Sequence, residues 1–368
     1  LKGAQWSPSP SEILLSGGIS IKVDRRFTWI ILTAAIVVTA GFLVYERWHE
    51  SGFRWDMFAG VFSQMNWGWV LLSAILNLAA YFGRTLRWAV MIRPLQPRPS
   101  YRNLFSATAI GFTAIILFGR PGEVVRPYLI AAKERVSFSS QMAAWLLERI
   151  YDLLAVALIF GVGLSQVRVT EAKLGPGLSW VLSTGGYVMA AIGAACLLAL
   201  IAFRSFSEVL RARAASILAL LPKRIEARAI HMLDAFIDGT QTTRDSTAVL
   251  SIVFYTFVEW LVIVLGFLAI FQAFSRTAGL TFMEVLILLG FVAFGGVVQI
   301  PGVGGGMQIA IIVVLTEMFR FSLESATGIA IVFWALNFLA IVPLGLLLAF
   351  HEGFNWHNLR HIKDIEKQ

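Results

Sequence analysis

The sequence predicts an all-α integral membrane protein of about six full spans plus two oppositely oriented re-entrant helical hairpins. Three observations predict it. The 368 residues are 58% hydrophobic and only 14% charged, with a mean hydropathy of +0.75, whereas a soluble domain carries about a quarter charged residues. Six runs approach or exceed the roughly 20 apolar residues that a hydrocarbon core requires. Two further apolar runs break at Pro-Gly. The 28 Phe and 12 Trp exclude a disordered chain.

The six runs are 27–45, 67–91, 139–163, 178–203, 246–271 and 325–350. Arg25 and Arg26 precede the first, which reads as an uncleaved anchor because its apolar run is longer than a signal-peptide core. Residues 46–66 hold Trp48, Phe53, Trp55, Phe58 and Phe62 among polar residues, the pattern of an interfacial helix. The broken regions are about 101–132 and 282–319. The first has its tip at Arg120-Pro121-Gly122-Glu123, the second at Pro301-Gly302-Val303-Gly304-Gly305-Gly306. Pro-Gly stops a helix, and broken backbone at membrane depth persists only where protein or a water-filled cavity satisfies it. Both regions therefore read as re-entrant hairpins; the competing reading makes 101–119 and 282–300 ordinary spans followed by loops.

Charge counting orients the chain. With hairpins that return to their own side, segments 1–26, 92–102, 133–138, 204–245 and 351–368 carry 19 Lys+Arg, against 6 in the opposite segments. That bias predicts that both termini are cytoplasmic. It also accounts for the net charge of +8 without nucleic acid. Three full spans separate the two tips, so the hairpins enter from opposite sides, as in the inverted repeats of transporters. Residues 1–26 and 351–368 are then cytoplasmic, and 27–350 form the membrane domain. The insert 204–245 is basic, broken at Pro222, and carries Ile230, Leu233 and Ile237 on one stripe. It reads as a helical hairpin over the bundle mouth, with anionic lipid or a partner protein as a second use.

Charges inside the spans carry the functional signal. Glu148, Arg149 and Asp152 lie near the middle of their span, where an isolated charge costs about 2.5–3.5 kcal/mol. The first tip adds Arg120, Glu123 and Arg126, so three arginines face three carboxylates. One reading is an ion-pair lock between hairpin and span. The other is a head-group site, with Arg120 and Arg126 on phosphate and the carboxylates orienting them. At the second tip, Gly302, Gly304 and Gly305 permit backbone amides to approach a ligand, flanked by Gln299 and Gln308; a tight packing turn is the alternative. Glu259 has no evident partner and reads as a carrier of a coupling proton, or as paired with Arg149 or Arg126. Arg84 and Arg87 read as snorkelling toward the cytoplasmic end.

Other chemistry is missing from the sequence. His351-Glu352-Gly353-Phe354-Asn355 has Asn where a zinc motif needs its second histidine, and His357 and His361 lie in the tail. Cys196 is the single cysteine. No metal, cofactor or catalytic residue is assigned.

The pair Gly119-Arg120-Pro121-Gly122-Glu123-Val124-Val125-Arg126 and Leu147-Glu148-Arg149-Ile150-Tyr151-Asp152 resembles the lysylphosphatidylglycerol synthase transmembrane-region family, also called flippase-like, which includes the membrane half of MprF proteins. The glycines at 302–306 resemble its second motif. The resemblance covers most of 27–350. It implies translocation of a lipid, with Arg120, Glu123, Arg126, Glu148, Arg149 and Asp152 carrying the motifs. Two departures qualify it. No aminoacyl-transferase domain follows Phe350, which points to a stand-alone member. Gln308 stands where many members have an acidic residue, which argues against a cationic head group. The expected function is a flippase for an anionic phospholipid or lipid-linked head group. The alternatives are a membrane-embedded lipid-modifying enzyme and a non-transporting partner of a lipid-synthesis enzyme; the lipid and the oligomeric state are left open.

Overall fold

A computed structural model describes residues 53–165, 176–219 and 222–353. The expected first span at 27–45, the N-terminal segment, Trp48 and the tail beyond 353 lie outside these residues. From Trp55 onward the chain forms one unit, and its described residues are all-α apart from a minimal strand pair. Its helices are α1 (Trp55–Ser63), α2 (Trp67–Ile92), α3 (Tyr101–Phe118), α4 (Val125–Glu134), α5 (Phe138–Ser165) and α6 (Pro176–Ser205). There follow α7 (Ser207–Leu218), α8 (Lys223–Gly239), α9 (Ser246–Gln272), α10 (Phe282–Gly295), α11 (Gly306–Val313) and α12 (Leu323–His351).

Polar residues set the helix starts. Asn66, Ser100, Asp245 and Ser322 each accept a bond from a backbone N–H in the first turn of α2, α3, α9 and α12. Thr281 and Glu284 form a reciprocal capping box on α10. Each cap satisfies an otherwise orphaned donor. Among the described residues, five helices are long and apolar enough to cross a membrane: α2, α3, α6, α9 and α12. Helix α5 is 28 residues long but carries Glu148, Arg149 and Asp152. The outer faces are apolar, with Leu158, Tyr187, Leu198, Leu250, Phe257 and Leu347 all exposed. In water such surface would be a liability; in lipid it is matched. The chain is a multi-pass membrane protein.

The interior is organised around α2 and α9, the most extensive helix pair, while α3 packs on α12 and α5 on α6. Both Pro-Gly regions fold back. Helix α3 ends at Gly119 (φ +72°), a 3-10 turn covers Arg120–Val124, and α4 returns along α3. The close approach requires glycine: a β-carbon on Gly111 would lie 2.5 Å from Cβ of Arg126. Helix α10 packs on α11 through a two-residue antiparallel pair, Gln299–Ile300 with Gly304–Gly305. Gly302, Gly304 and Gly305 have φ of +72°, +99° and +118°, values that L side chains rarely adopt. The expected amphipathic insert is a helical hairpin of α7 and α8, with Pro222 at the start of α8 and a two-point pair from Arg211 to Asp234 (2.5 and 3.0 Å). The interfacial stretch contains α1, which packs on α12.

The arm contact yields a paired expectation. Gly111→Val forces α3 and α4 apart and is expected to destabilise the protein by about 2 kcal/mol or more. Gly161→Ala, with nothing within 4 Å of the added carbon, is expected to be neutral or to stabilise by up to about 1 kcal/mol. Thermal unfolding of both variants in detergent is the measurement; equal melting temperatures would show that the arms have slack.

Candidate functional site

Four helices deliver charge to one buried point. Helix α2 brings Arg84 and Arg87, one turn apart and therefore on one face. The first turn of α4 brings Arg126. Glu148, Arg149 and Asp152 come from the middle of α5, and Glu259 from the middle of α9. Arg87 has no exposure and touches three carboxylates: Asp152 through Nη1 at 2.7 Å, and Glu148 and Glu259 through Nη2 at 3.3 Å each. Its Nη1 also donates to the Thr256 hydroxyl at 3.0 Å. The snorkelling expected of Arg87 is therefore corrected. Its helix packs against α5 and α9 at that depth, and the carboxylates there neutralise it in place.

Glu148 collects cations. Arg126 Nη1 donates to both of its oxygens at 3.0 Å, Arg149 Nη2 to one at 2.9 Å, and Arg84 Nη1 lies at 4.0 Å. Arg149 also reaches Asp152 at 3.4 Å and keeps a third of its side chain exposed. Glu259, solitary in sequence, lies 3.0 Å from Arg84 Nε and 3.3 Å from Arg87 Nη2. Its partners are thus Arg84 and Arg87, not Arg149 or Arg126. Arg126 is further held by rings, its guanidinium 4.1 Å from the Trp88 centroid and 5.6 Å from that of Phe112. Trp88 is fixed in turn by a bond from its Nε1 to Gln141 at 3.0 Å. Arginine stacked on aromatic faces is a stable arrangement in a desolvated setting.

The cluster therefore contains Arg84, Arg87, Arg126 and Arg149 against Glu148, Asp152 and Glu259. It has one more cation than anion. Arg87 Nε, Arg126 Nε and Arg149 Nε are buried and donate to nothing among the described residues, while the Glu259 oxygens, which accept no hydrogen bond there, lie within ion-pair distance of Arg84 and Arg87. An anion with several oxygens is what such a set lacks.

The remaining expected site residues lie elsewhere. Arg120 pairs with Glu123 and spans to the other tip, Nε donating to the Val297 carbonyl and Nη2 to that of Gly296, both at 3.1 Å. The Gly302 amide donates to the Ile116 carbonyl at 2.9 Å. The two Pro-Gly tips thus touch each other. Arg120 covers the orphan carbonyls at the end of α10, a role no sequence signal announced. The second tip's donors are also engaged, Gly305 N donating to Gln308 Oε1 at 2.7 Å and Gly306 N to the Val298 carbonyl at 2.9 Å. Gln308 Nε2 donates to the Val303 carbonyl at 2.8 Å, so this side chain braces its own loop. No bond of the Gln299 side chain is recorded among the described residues. Sequence reading missed Arg84 and Arg87 as members of the cluster. Their spacing of three, facing a span with acidic residues, was the available signal.

No group of three or more His, Cys, Asp and Glu residues suited to a metal occurs among the described residues. The carboxylates meet arginines instead.

A stretch of 117 residues, 32% of this chain, is 29% identical to the protein named Glycosyltransferase AglD of Haloferax volcanii, and covers 18% of that protein. No solved structure matches the chain. The family model of the lysylphosphatidylglycerol synthase TM region matches residues 29–345, so the motifs around Arg126 and Glu148 sit within a chain that belongs to this family of membrane, lipid-related proteins.

Proposed function

We propose that the protein is a lipid flippase that moves an anionic phospholipid or lipid-linked head group across the bacterial inner membrane. The observation that carries this reading is the fourth arginine, Arg149, which leaves the cluster one cation in excess, keeps a third of its side chain exposed and, like Arg126, has an Nε without an acceptor among the described residues. A purely structural lock would be expected to balance its charges, since uncompensated charge at membrane depth is costly. A phosphate supplies the missing anion and its acceptors. Arg126 and Arg149 bind it, Glu148 and Asp152 hold the two arginines in place, and the lipid tails stay in the bilayer.

In this reading 101–132 and 282–319 are re-entrant arms that enter from opposite sides, with both termini cytoplasmic, as the 19-to-6 charge bias supports. The touching tips at Arg120, Glu123, Gln299, Gly302, Gly304, Gly305 and Gln308 form the barrier that a head group passes once it leaves the arginines. Glu259 carries a coupling proton, released from Arg84 and Arg87 when the head group draws on them. The relative named a glycosyltransferase keeps an enzymatic reading in view. Against it, Glu148 and Asp152 each face at least two arginines whether or not a head group is bound, which leaves no pair of carboxylates placed as acid and base.

Proteoliposomes with fluorescent lipid test the assignment. Arg149→Gln removes the excess charge at a partly exposed position, so it is expected to fold normally and slow translocation at least tenfold. Arg87→Met strips three carboxylates of their shared cation and is expected to cost about 3–5 kcal/mol of stability. Wild-type translocation by Arg149→Gln would remove the cluster from the transport path. For the proton, Glu259→Gln is expected to retain downhill exchange of lipid and to lose stimulation by an imposed pH gradient. An unchanged response to the gradient would exclude Glu259 as the carrier.

A further inference from the structure

Arg84 belongs to the cluster and also borders a cavity of about 220 Å³. From Arg84 the cavity follows one face of α2 through Tyr81, Asn77 and Ser73, positions three to four residues apart that share a stripe. Eleven residues of helix extend it about 16 Å toward the Trp67 end. The volume is below the roughly 300–1,000 Å³ of pockets that engulf whole drug-sized ligands. It equals the space of about seven waters. That suits a head group whose tails stay outside.

The lining narrows the chemistry. Most of it is apolar, with Trp260 and Phe333 presenting aromatic surface. Among its polar groups, beside Ser73, Tyr81 and Arg84, is a pair of amides: Asn77 Nδ2 donates to Asn337 Oδ1 at 2.8 Å, and Asn337 Nδ2 donates to the Phe333 carbonyl at 2.8 Å. This leaves the Asn77 carbonyl oxygen and one N–H of each amide without a recorded partner among the described residues. Such groups both donate and accept, which matches hydroxyls. Arg84 is the charged residue of the lining, and no Asp or Glu borders the cavity. An ammonium would meet a cation and no counter-charge.

We propose that this cavity holds an uncharged, hydroxyl-bearing head-group moiety whose phosphate lies on the arginine cluster at the Arg84 end, so that the site selects anionic lipids with a polyol or sugar head group over cationic aminoacyl lipids. The proposal rests on the lipid reading above for the class of ligand, but selectivity is an equilibrium property and is measured without transport. The phosphate stays with Arg126 and Arg149 beyond the Arg84 end, the hydroxyls satisfy Asn77 and Asn337, and a sugar or glycerol carbon face lies against Trp260.

The test uses the full chain in detergent micelles and the affinities of short-chain phosphatidylglycerol, phosphatidic acid and lysylphosphatidylglycerol. The first has hydroxyls beyond the phosphate, the second none, and the third an added cation. Phosphatidylglycerol is expected to bind about tenfold tighter than either, the scale of one or two hydrogen bonds. Asn337→Leu is expected to erase its advantage over phosphatidic acid while leaving phosphatidic acid within about twofold. Asn337→Asp, which places a carboxylate in the lining, is expected to reverse the ranking in favour of the lysyl lipid. Equal or tighter binding of the lysyl lipid by the wild-type chain would overturn the proposal. So would a ranking that neither Asn337 variant alters, and if both variants fail to fold the wild-type ranking decides. A chain that shows this ranking yet moves no lipid in liposomes refutes the flippase reading and leaves the selectivity standing. A chain that moves lipid without the ranking refutes the selectivity alone.

Discussion

One guanidinium holds the interior together. Arg87 lies within 3.3 Å of Glu148, Asp152 and Glu259, so α2, α5 and α9 share a register at that depth. In a low-dielectric interior, separating any of these groups leaves a bare charge, and the penalty is larger than for most apolar contacts. The helices could slide along one another on their apolar faces at small cost. They cannot slide past Arg87. The polar centre therefore sets the axial positions, and the apolar packing fills in around it.

Arg126 links that centre to the part of the chain best suited to move. It reaches Glu148 from the first turn of a ten-residue helix that lies on α3 only because Gly111 has no side chain. The same arm ends in a tip whose contact with the second tip includes bonds to backbone carbonyls. A head group that competes for Arg126 or Arg149 would weaken the tie between arm and span. On the proposed function, occupancy of the cluster and separation of the tips would be coupled through one short helix.

Much of this was legible beforehand. The spans at 67–91, 178–203, 246–271 and 325–350 coincide with helices to within a few residues, because apolar runs of that length have one stable form in lipid. The breaks at Pro121 and Pro301 were legible because proline and glycine act on the backbone locally. The insert at 204–245 showed its break at Pro222 for the same reason. Arg87 was misjudged, since snorkelling and burial look alike until the neighbouring helices are known. Gln308, Gly305 and Gly306 looked like ligand donors but bond within their own loop, Gly302 bonds to Ile116 of the other tip, and Arg120 found its acceptors 176 and 177 residues away.

Legible from sequence alone were the membrane class, the long apolar helices from Trp67 onward, the positions of the breaks and the presence of charge at positions where lipid penalises it. These follow from composition and from local backbone chemistry, which act over a few residues. Only the tertiary structure decided which charges meet. Ion pairing depends on distances between helices that are remote in sequence, and the same seven residues arranged otherwise would have been separate liabilities. The cavity beside Arg84 belongs to that second category, because Asn77 and Asn337 become one amide pair only where α2 and α12 approach.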